Sequence, residues 1–213
     1  MFVKKRGRFI TLEGGEGVGK STLIRALGYS LEREGYSCLL TYQPGATALG
    51  KKLRELLLDQ SDIKLCDRAE LLLFLSDKSQ HISQMLLPAL EKNDFVICDR
   101  FIDSAIAYQG SKFEEEIDLF NAACRFATKD LTADLTFVLD IDPVEGKKRI
   151  LARSGGKLDT IEKKDMSYHQ LVRKAFLKQA KQDPDRYVVL DASKTPEEVV
   201  AGAMHVLSKK GFV

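Results

Sequence analysis

The sequence predicts an α/β protein in three layers, a five-stranded parallel sheet with helices on both faces. Two observations carry the prediction. Segments of strand character and segments of helical character alternate along the chain, the pattern of crossover connections between parallel strands. Residues 95–98 (FVIC) form an unbroken apolar run, which suits a strand buried on both faces of a parallel sheet. A length of 213 residues suits one domain of ordinary size. Folding at that length buries roughly 70% of the unfolded surface, so the core needs no staples.

Residues 8–13 (RFITLE) read as the first strand and end at glycines. Leu23, Ile24, Leu27 and Leu31 then fall on one face of a helix that Gly35 stops. Residues 38–42 (CLLTY) are the second strand, closed by Pro44 and Gly45. Helical stretches are expected at about 46–59 and 67–92, followed by the apolar third strand, and then helices near 102–108 and 114–128. Residues 135–139 (LTFVL) make the fourth strand. Asp142, Pro143 and Glu145 combine a capping acid, a proline at the first helical position and a glutamate at the third, so a helix should run from there to about residue 152. Ser154, Gly155 and Gly156 break it, and a further helix is expected over about 160–182. Residues 187–190 (YVVL) are the fifth strand, and Thr195, Pro196 and Glu198 open the last helix with a second capping box. With no internal repeat or linker, residues 1–213 read as a single domain. One segment, about 149–164, is basic and glycine-broken with little to bury; it is either a solvated loop or a mobile lid over a phosphate site.

Composition excludes several classes. With 44% hydrophobic and 30% charged residues the chain is neither disordered nor a membrane span. Its 33 basic and 31 acidic side chains nearly cancel, which argues against broad non-specific binding to nucleic acid. Cys38, Cys66, Cys98 and Cys124 form no CxxC pair, and Cys38 and Cys98 sit in apolar runs, reading as buried free thiols in a reducing compartment. The basic start, residues 1–8, meets Glu13 after only four residues, so no signal-peptide core fits. No stretch approaches the roughly 18 apolar residues of a membrane helix. The expectation is a soluble cytoplasmic protein. His81, His169 and His205 lack metal-ligand spacing and read as surface or packing residues.

Gly14, Gly15, Glu16, Gly17, Val18, Gly19, Lys20 and Ser21 match G-x-x-x-x-G-K-[ST], between a strand and a helix as its mechanism requires. Glycines let the backbone curl until successive N–H groups point at one anion, and the helix N-terminus adds partial positive charge. Lys20 can bridge β- and γ-phosphate oxygens, and the Ser21 hydroxyl can hold Mg²⁺. The motif makes this a three-layer P-loop NTPase fold with nucleoside triphosphate binding. Asp99 and Arg100 follow the third strand, at the edge where open parallel sheets bind ligands. Asp99 suits Mg²⁺ held through water, and Arg100 suits phosphoryl charge.

At these residues the chain resembles bacterial thymidylate kinases, and the resemblance spans nearly all of it. Matching segments are residues 13–21 (EGGEGVGKS), 44–47 (PGAT), 52–58 (KLRELLL), 69–74 (AELLLF), 99–101 (DRF) with Ser104, 107–110 (AYQG) and 158–162 (LDTIE). The resemblance implies transfer of a phosphoryl group from ATP to dTMP with Mg²⁺, giving dTDP for dTTP synthesis. It places the donor phosphates on the loop from Gly14 to Thr22, with Lys20 central. It assigns Glu16 to the 3′-hydroxyl of dTMP, Arg54 and Arg100 to its phosphate, Phe74 to stacking on thymine, and Ser104, Tyr108 and Gln109 to the border of sugar and base. Ser21 and Asp99 are the implied metal residues. Because no arginine stands among Glu16, Gly17 and Val18, the resemblance moves catalytic charge to the lid, where Arg149 and Arg153 lie; Arg153 is the catalytic candidate beside Lys20 and Arg100. The chain departs from the family pattern at Lys78, where an arginine usually meets the thymine carbonyl, at residues 42–47 (YQPGAT for REPGGT), and at Thr160, where the lid usually has arginine; Lys157 can stand in there. A homodimer through the helix carrying Phe74 is also implied. Two other readings stay open: another P-loop nucleoside or nucleotide kinase, accepting dUMP for instance, and a nucleotide-binding module with weakened catalysis.

Overall fold

The computed structural model describes residues 6–58 and 63–213. Its five strands are β1 (Arg8–Glu13), β2 (Cys38–Tyr42), β3 (Phe95–Asp99), β4 (Leu135–Asp140) and β5 (Tyr187–Asp191). They lie all parallel in the order β2-β3-β1-β4-β5, so the predicted parallel sheet is present. β1 is central. The chain moves first to one side of it and later to the other, and that reversal opens a crevice beyond the carboxyl end of β1.

Alternate residues of the central strands feed two cores. Ile10 and Leu12 face α1 (Lys20–Arg33) and α9 (Pro196–Lys209), whose Leu23, Leu27, Leu31, Ala203 and Leu207 are buried with them. Phe9, Val96 and Cys98 face the other way, against Ile82, Leu86, Leu90 and Phe101. Further along that face, Val138 meets Val172 and Phe176 of α8 (Met166–Gln182) and Tyr108 of α5 (Ile102–Gln109). Both faces of the strands are therefore apolar, and each large side chain fully buried this way contributes about 1.5–3 kcal/mol. Among the helices, α3 (Asp67–His81) packs on α6 (Ile117–Thr128) through Leu71, Leu75, Phe120 and Cys124.

Several expected boundaries shift. The stretch expected at about 46–59 is α2 (Ala48–Leu58), and its last expected residue lies outside the described residues, as do residues 1–5 of the basic start. The long helix at 67–92 is α3, a π-helical turn (Ile82–Leu86) and α4 (Leu87–Lys92), joined with helical backbone throughout. A 3₁₀ segment (Gly110–Glu116) bridges α5 and α6. α7 (Pro143–Ser154) runs two residues past the expected end and stops where Gly155 and Gly156 take φ 59° and 90°.

The largest correction is α8, which begins at Met166 and not near 160. Asp159 Oδ1 accepts from the backbone N–H groups of Ile161 and Glu162, both at 2.8 Å, while Glu162 Oε2 accepts from Asp159 N–H at 3.0 Å. These local bonds compete with a helix and hold residues 159–164 in turns. Cys98 is buried as expected, whereas Cys38 is only half-buried; all four cysteines are free. Of the histidines, His81 is a core residue, His169 is half-buried and His205 is exposed. Among the described residues no helix is long and apolar enough to cross a membrane.

Candidate active site

The glycine loop leaves β1 and is pressed against its neighbours by main-chain contacts. A Cβ on Gly17 would lie 2.2 Å from the carbonyl oxygen of Gly146 on α7, and one on Gly146 would lie 2.5 Å from that of Glu16. Only glycine fits either position. Gly19 (φ 97°) caps α1 without a side-chain hydrogen bond, so the helix N-terminus faces the crevice uncovered by its own cap.

Lys20 lies back along this loop. Its ammonium donates to the carbonyls of Gly15 at 2.6 Å and Gly14 at 3.2 Å. Burial, then the nearby Arg100 charge, brings its pKa down to about 8, against the pull of Glu16 and Asp99. Ser21 donates its hydroxyl to Asp99 Oδ2 at 3.2 Å, so the two expected metal residues meet. Together they offer a hydroxyl and a carboxylate, the oxygen donors that suit Mg²⁺ completed by phosphate and water.

Arg100 is fixed from five directions. Its backbone takes φ 69°, and its N–H donates to Leu12 O at 2.9 Å. Nη1 donates to Gly14 O at 2.9 Å and to Ser104 Oγ at 3.1 Å; Nη2 donates to Glu16 Oε1 at 2.7 Å. The guanidinium also lies 5.1 Å from the centre of the Tyr108 ring. Glu16 in turn accepts from the Tyr108 hydroxyl at 2.9 Å. Burial alone would raise the Glu16 pKa, but Arg100 and Lys20 outweigh it and hold the carboxyl down at about 2.

Two cavities open here. A cleft of about 1250 Å³ runs along the loop past Ser21, Asp99 and, from the segment expected as a lid, Arg149, Arg153 and Lys157, to Lys194. A smaller cavity, about 100 Å³, is lined by Phe74, Lys78, Ser104, Tyr108 and Gln109. Glu16, Gln43, Arg54, Arg100 and Asp159 line both. Arg54 is braced by a bond to Pro44 O at 2.8 Å, beside the cis peptide between Gln43 and Pro44. The structure thus gathers the sequence-predicted residues around two joined spaces. Arg153 is exposed, with Glu162 as its ion partner at 3.6 Å. Arg149 instead donates to Ala192 O at 3.0 Å.

Lys78 is buried, and two of its protons go to Gln43 Oε1 at 2.9 Å and Phe101 O at 3.0 Å. Gln43 Nε2 can only donate, so His81 Nδ1, at 2.8 Å, accepts, and the ring proton sits on Nε2 facing Thr41 Oγ1 at 2.7 Å. Burial, then Lys78, lowers the His81 pKa to about 4, so the ring is neutral. Sequence reasoning missed this chain, and it missed Glu13 at the end of β1 and Asp103 on α5, both fully buried. The only signal for Glu13 was a charge at the end of an apolar strand. At the lid, Thr160 donates both its N–H (3.2 Å) and its hydroxyl (2.9 Å) to Leu58 O.

A loop shaped for the phosphates of a triphosphate, sharing a wall that holds Arg54 and Arg100 with a second and smaller space, serves transfer between two nucleotides. Fold and site define a P-loop nucleotide kinase. Residues 12–202 match the family model of thymidylate kinase. The thymidylate kinase of Carboxydothermus hydrogenoformans is 42% identical over 194 residues, covering 91% of this chain and 93% of that protein. That of Magnetococcus marinus is 39% identical over 208 residues, covering 98% and 99%. The crystal structure of thymidylate kinase from Ehrlichia chaffeensis matches with a TM-score of 0.76 at 30% identity, covering 95% of this chain and 99% of that one. The chain belongs to the thymidylate kinase family.

Proposed function

We propose that this enzyme transfers the γ-phosphoryl group of ATP to dTMP, giving ADP and dTDP. The observation that carries the reading is the shared wall: Arg100, Arg54 and Glu16 border both the P-loop cleft and the small cavity. A phosphoryl group passing between two bound nucleotides must cross such a boundary.

In this reading Gly14 to Thr22 hold the donor phosphates, and Lys20 turns from its two carbonyls to the β- and γ-phosphates. Ser21 and Asp99 hold Mg²⁺, which supplies neutralising charge at the phosphates. Arg100 and Arg54 clamp the acceptor phosphate. Both donors to Glu16 use Oε1, which leaves Oε2 to accept from the 3′-hydroxyl. Phe74 packs on thymine, Lys78 offers its third N–H to a base carbonyl, and Ser104, Tyr108 and Gln109 border sugar and base. Arg153 brings lid charge to the transition state.

The whole chain acts as one kinase domain with 149–164 as its lid. Its partners are nucleotides rather than nucleic acid, in keeping with a net charge of +2. The reading extends to the cytoplasm, where free thiols persist, and to a homodimer, supported by Leu72, Leu119 and Phe126 on α3 and α6, which are 59%, 63% and 88% exposed.

The test is ADP release from ATP and Mg²⁺ with dTMP, dUMP and other nucleoside monophosphates. The expected result is the highest kcat/KM with dTMP. A different preferred acceptor, or ADP release that no acceptor stimulates, overturns the proposal.

A further inference from the structure

Glu13 ends the central strand with its side chain fully buried, and it lines neither cavity. It accepts from two donors, the Phe101 backbone N–H at 2.7 Å and the Ser104 hydroxyl at 2.6 Å. Ser104 in turn accepts from Arg100 Nη1 at 3.1 Å. We propose that Glu13 is a positioning residue for phosphoryl transfer, fixing the direction of the Ser104 hydroxyl and, through it, the orientation of the Arg100 guanidinium. This rests on the reading of Arg100 as the clamp on the acceptor phosphate.

The argument is one of donors and acceptors. An ionised carboxylate can only accept, so it draws the single Ser104 proton toward itself. The serine lone pairs are then left to face Arg100, which has only protons to offer. A neutral group at position 13 reverses this. An amide or carboxylic acid can place its own proton on Ser104 Oγ, which frees the serine proton to turn toward Nη1, donor against donor. Glu13 also holds the backbone of Phe101, the residue after Arg100, so one carboxylate anchors the arginine at both main chain and side chain.

The surroundings oppose that charge: burial, then Asp103, raises the Glu13 pKa to about 7, so the ionised form that sets this direction prevails above that pH. Asp103, from α5, repels it, but Asp103 is itself satisfied by Arg186 at 3.1 and 3.3 Å and by the Tyr187 hydroxyl. The cations acting on Glu13 are Arg100, Lys20 and Lys78; Tyr187 and the Cys98 thiol are the other titratable groups within electrostatic reach. Among the described residues Glu13 is thus a buried acceptor with no cation in direct contact, and it reaches Arg100 through Ser104.

The test uses Glu13→Gln, which keeps the shape, and Ser104→Ala, which removes the link and leaves Glu13 only its bond from Phe101 N–H. The first measurement is NMR of the Arg100 guanidinium in ligand-free protein, which needs no activity. Slow rotation of the Nη groups is expected in the parent and loss of that restraint in both variants. The second is steady-state kinetics with dTMP. Each variant is expected to lose about tenfold in kcat/KM for dTMP, as for one charge-assisted hydrogen bond, with the KM for ATP little changed. The double variant should lose no more than the worse single one. Unchanged Arg100 signals in folded Glu13→Gln and Ser104→Ala, or fully additive losses, overturn the inference. If the parent fails to phosphorylate dTMP, the proposed function is wrong, and the NMR comparison still decides the positioning role.

Discussion

The Lys20 ammonium and the Arg100 guanidinium donate to one and the same oxygen, the carbonyl of Gly14, at 3.2 and 2.9 Å. Two cations therefore converge on the first peptide of the P-loop. Their repulsion adds to burial in bringing Lys20 down to about 8.

Triphosphate binding should reverse that shift, because anionic oxygens favour the charged lysine. At about pH 9 the ligand-free lysine is mostly neutral and the bound one mostly charged, so binding takes up close to one proton. Calorimetry of ATP binding in buffers of different ionisation enthalpy measures it. Uptake that is absent at this pH, or unchanged in Lys20→Met, would show that Lys20 is not the group concerned.

Removing the charge altogether should act on the chemical step. Lys20→Ala is expected to lower kcat at least about a hundredfold with the circular dichroism spectrum unchanged. Near-normal turnover in the folded variant removes Lys20 from the mechanism.

Glu13 makes stability depend on pH. Burial, then Asp103, raises its pKa from the ordinary 4.5 to about 7 in the folded protein. A raised carboxyl favours folding while protonated, so this contribution is complete below about pH 4.5 and is lost as pH rises through about 7. The loss is on the order of 3 kcal/mol. Glu13→Gln cannot ionise. Its Tm relative to the parent should therefore rise between pH 5 and pH 8; a constant difference would mean that the carboxyl does not titrate in this range. Ionised Glu13 costs stability and organises Arg100, a trade that active sites commonly make.

Arg153 is exposed and, among the described residues, paired with Glu162 alone, at 3.6 Å, so it contributes little to the resting structure. Arg153→Ala should lower kcat more than it raises the KM for dTMP, the pattern of an interaction made in the transition state. If Lys157 substitutes for it, the double variant will lose far more than the two singles together. A change in KM alone would make Arg153 a binding residue.

Tyr108 joins the small cavity to Glu16 through its hydroxyl, and its ring rests edge-on against Phe176, with centroids 6.0 Å apart. A ribose 2′-hydroxyl against that ring would lose water without gaining a partner, at about 1–3 kcal/mol. The deoxy substrate should thus be preferred by roughly 5- to 150-fold in kcat/KM. Tyr108→Ala should relax the preference, whereas Tyr108→Phe should keep it while freeing Glu16 of one donor. Equal ratios in parent and Tyr108→Ala would place sugar selection elsewhere.

What the sequence discloses and what it hides divide along chain distance. The P-loop is legible because its donors are consecutive, and Asp99 and Arg100 because an apolar strand delivers them together. The chain from Thr41 through His81 and Gln43 to Lys78 is not, since it joins a strand to a helix some forty residues on. In this chain a neutral glutamine stands where the family pattern has a glutamate, and only the fold reveals that it bridges a histidine and a lysine. Glu13 is hidden for the same reason: its partners Phe101 and Ser104 are 88 and 91 positions away. The start of α8 at Met166 is hidden for the opposite cause, a set of bonds so local that periodicity does not register them. Thr160, which departs from the family pattern, ties the lid to Leu58 at the end of α2, a contact that spacing along the chain does not announce.

The clasp between Gly17 and Gly146 gives the site its scale. Because the two backbones touch, α7 is registered against the P-loop by main chain and not by any exchangeable side chain. The helix then works as a ruler laid beside the P-loop, with Arg149 and Arg153 as adjacent marks one turn apart and the left-handed Gly155 and Gly156 only beyond them. Shifting an arginine from one mark to the next displaces its charge by about 6 Å along the axis. Removing either arginine would therefore leave the other's charge one turn away on α7, with the sheet, the loop and the acceptor cavity left as they are.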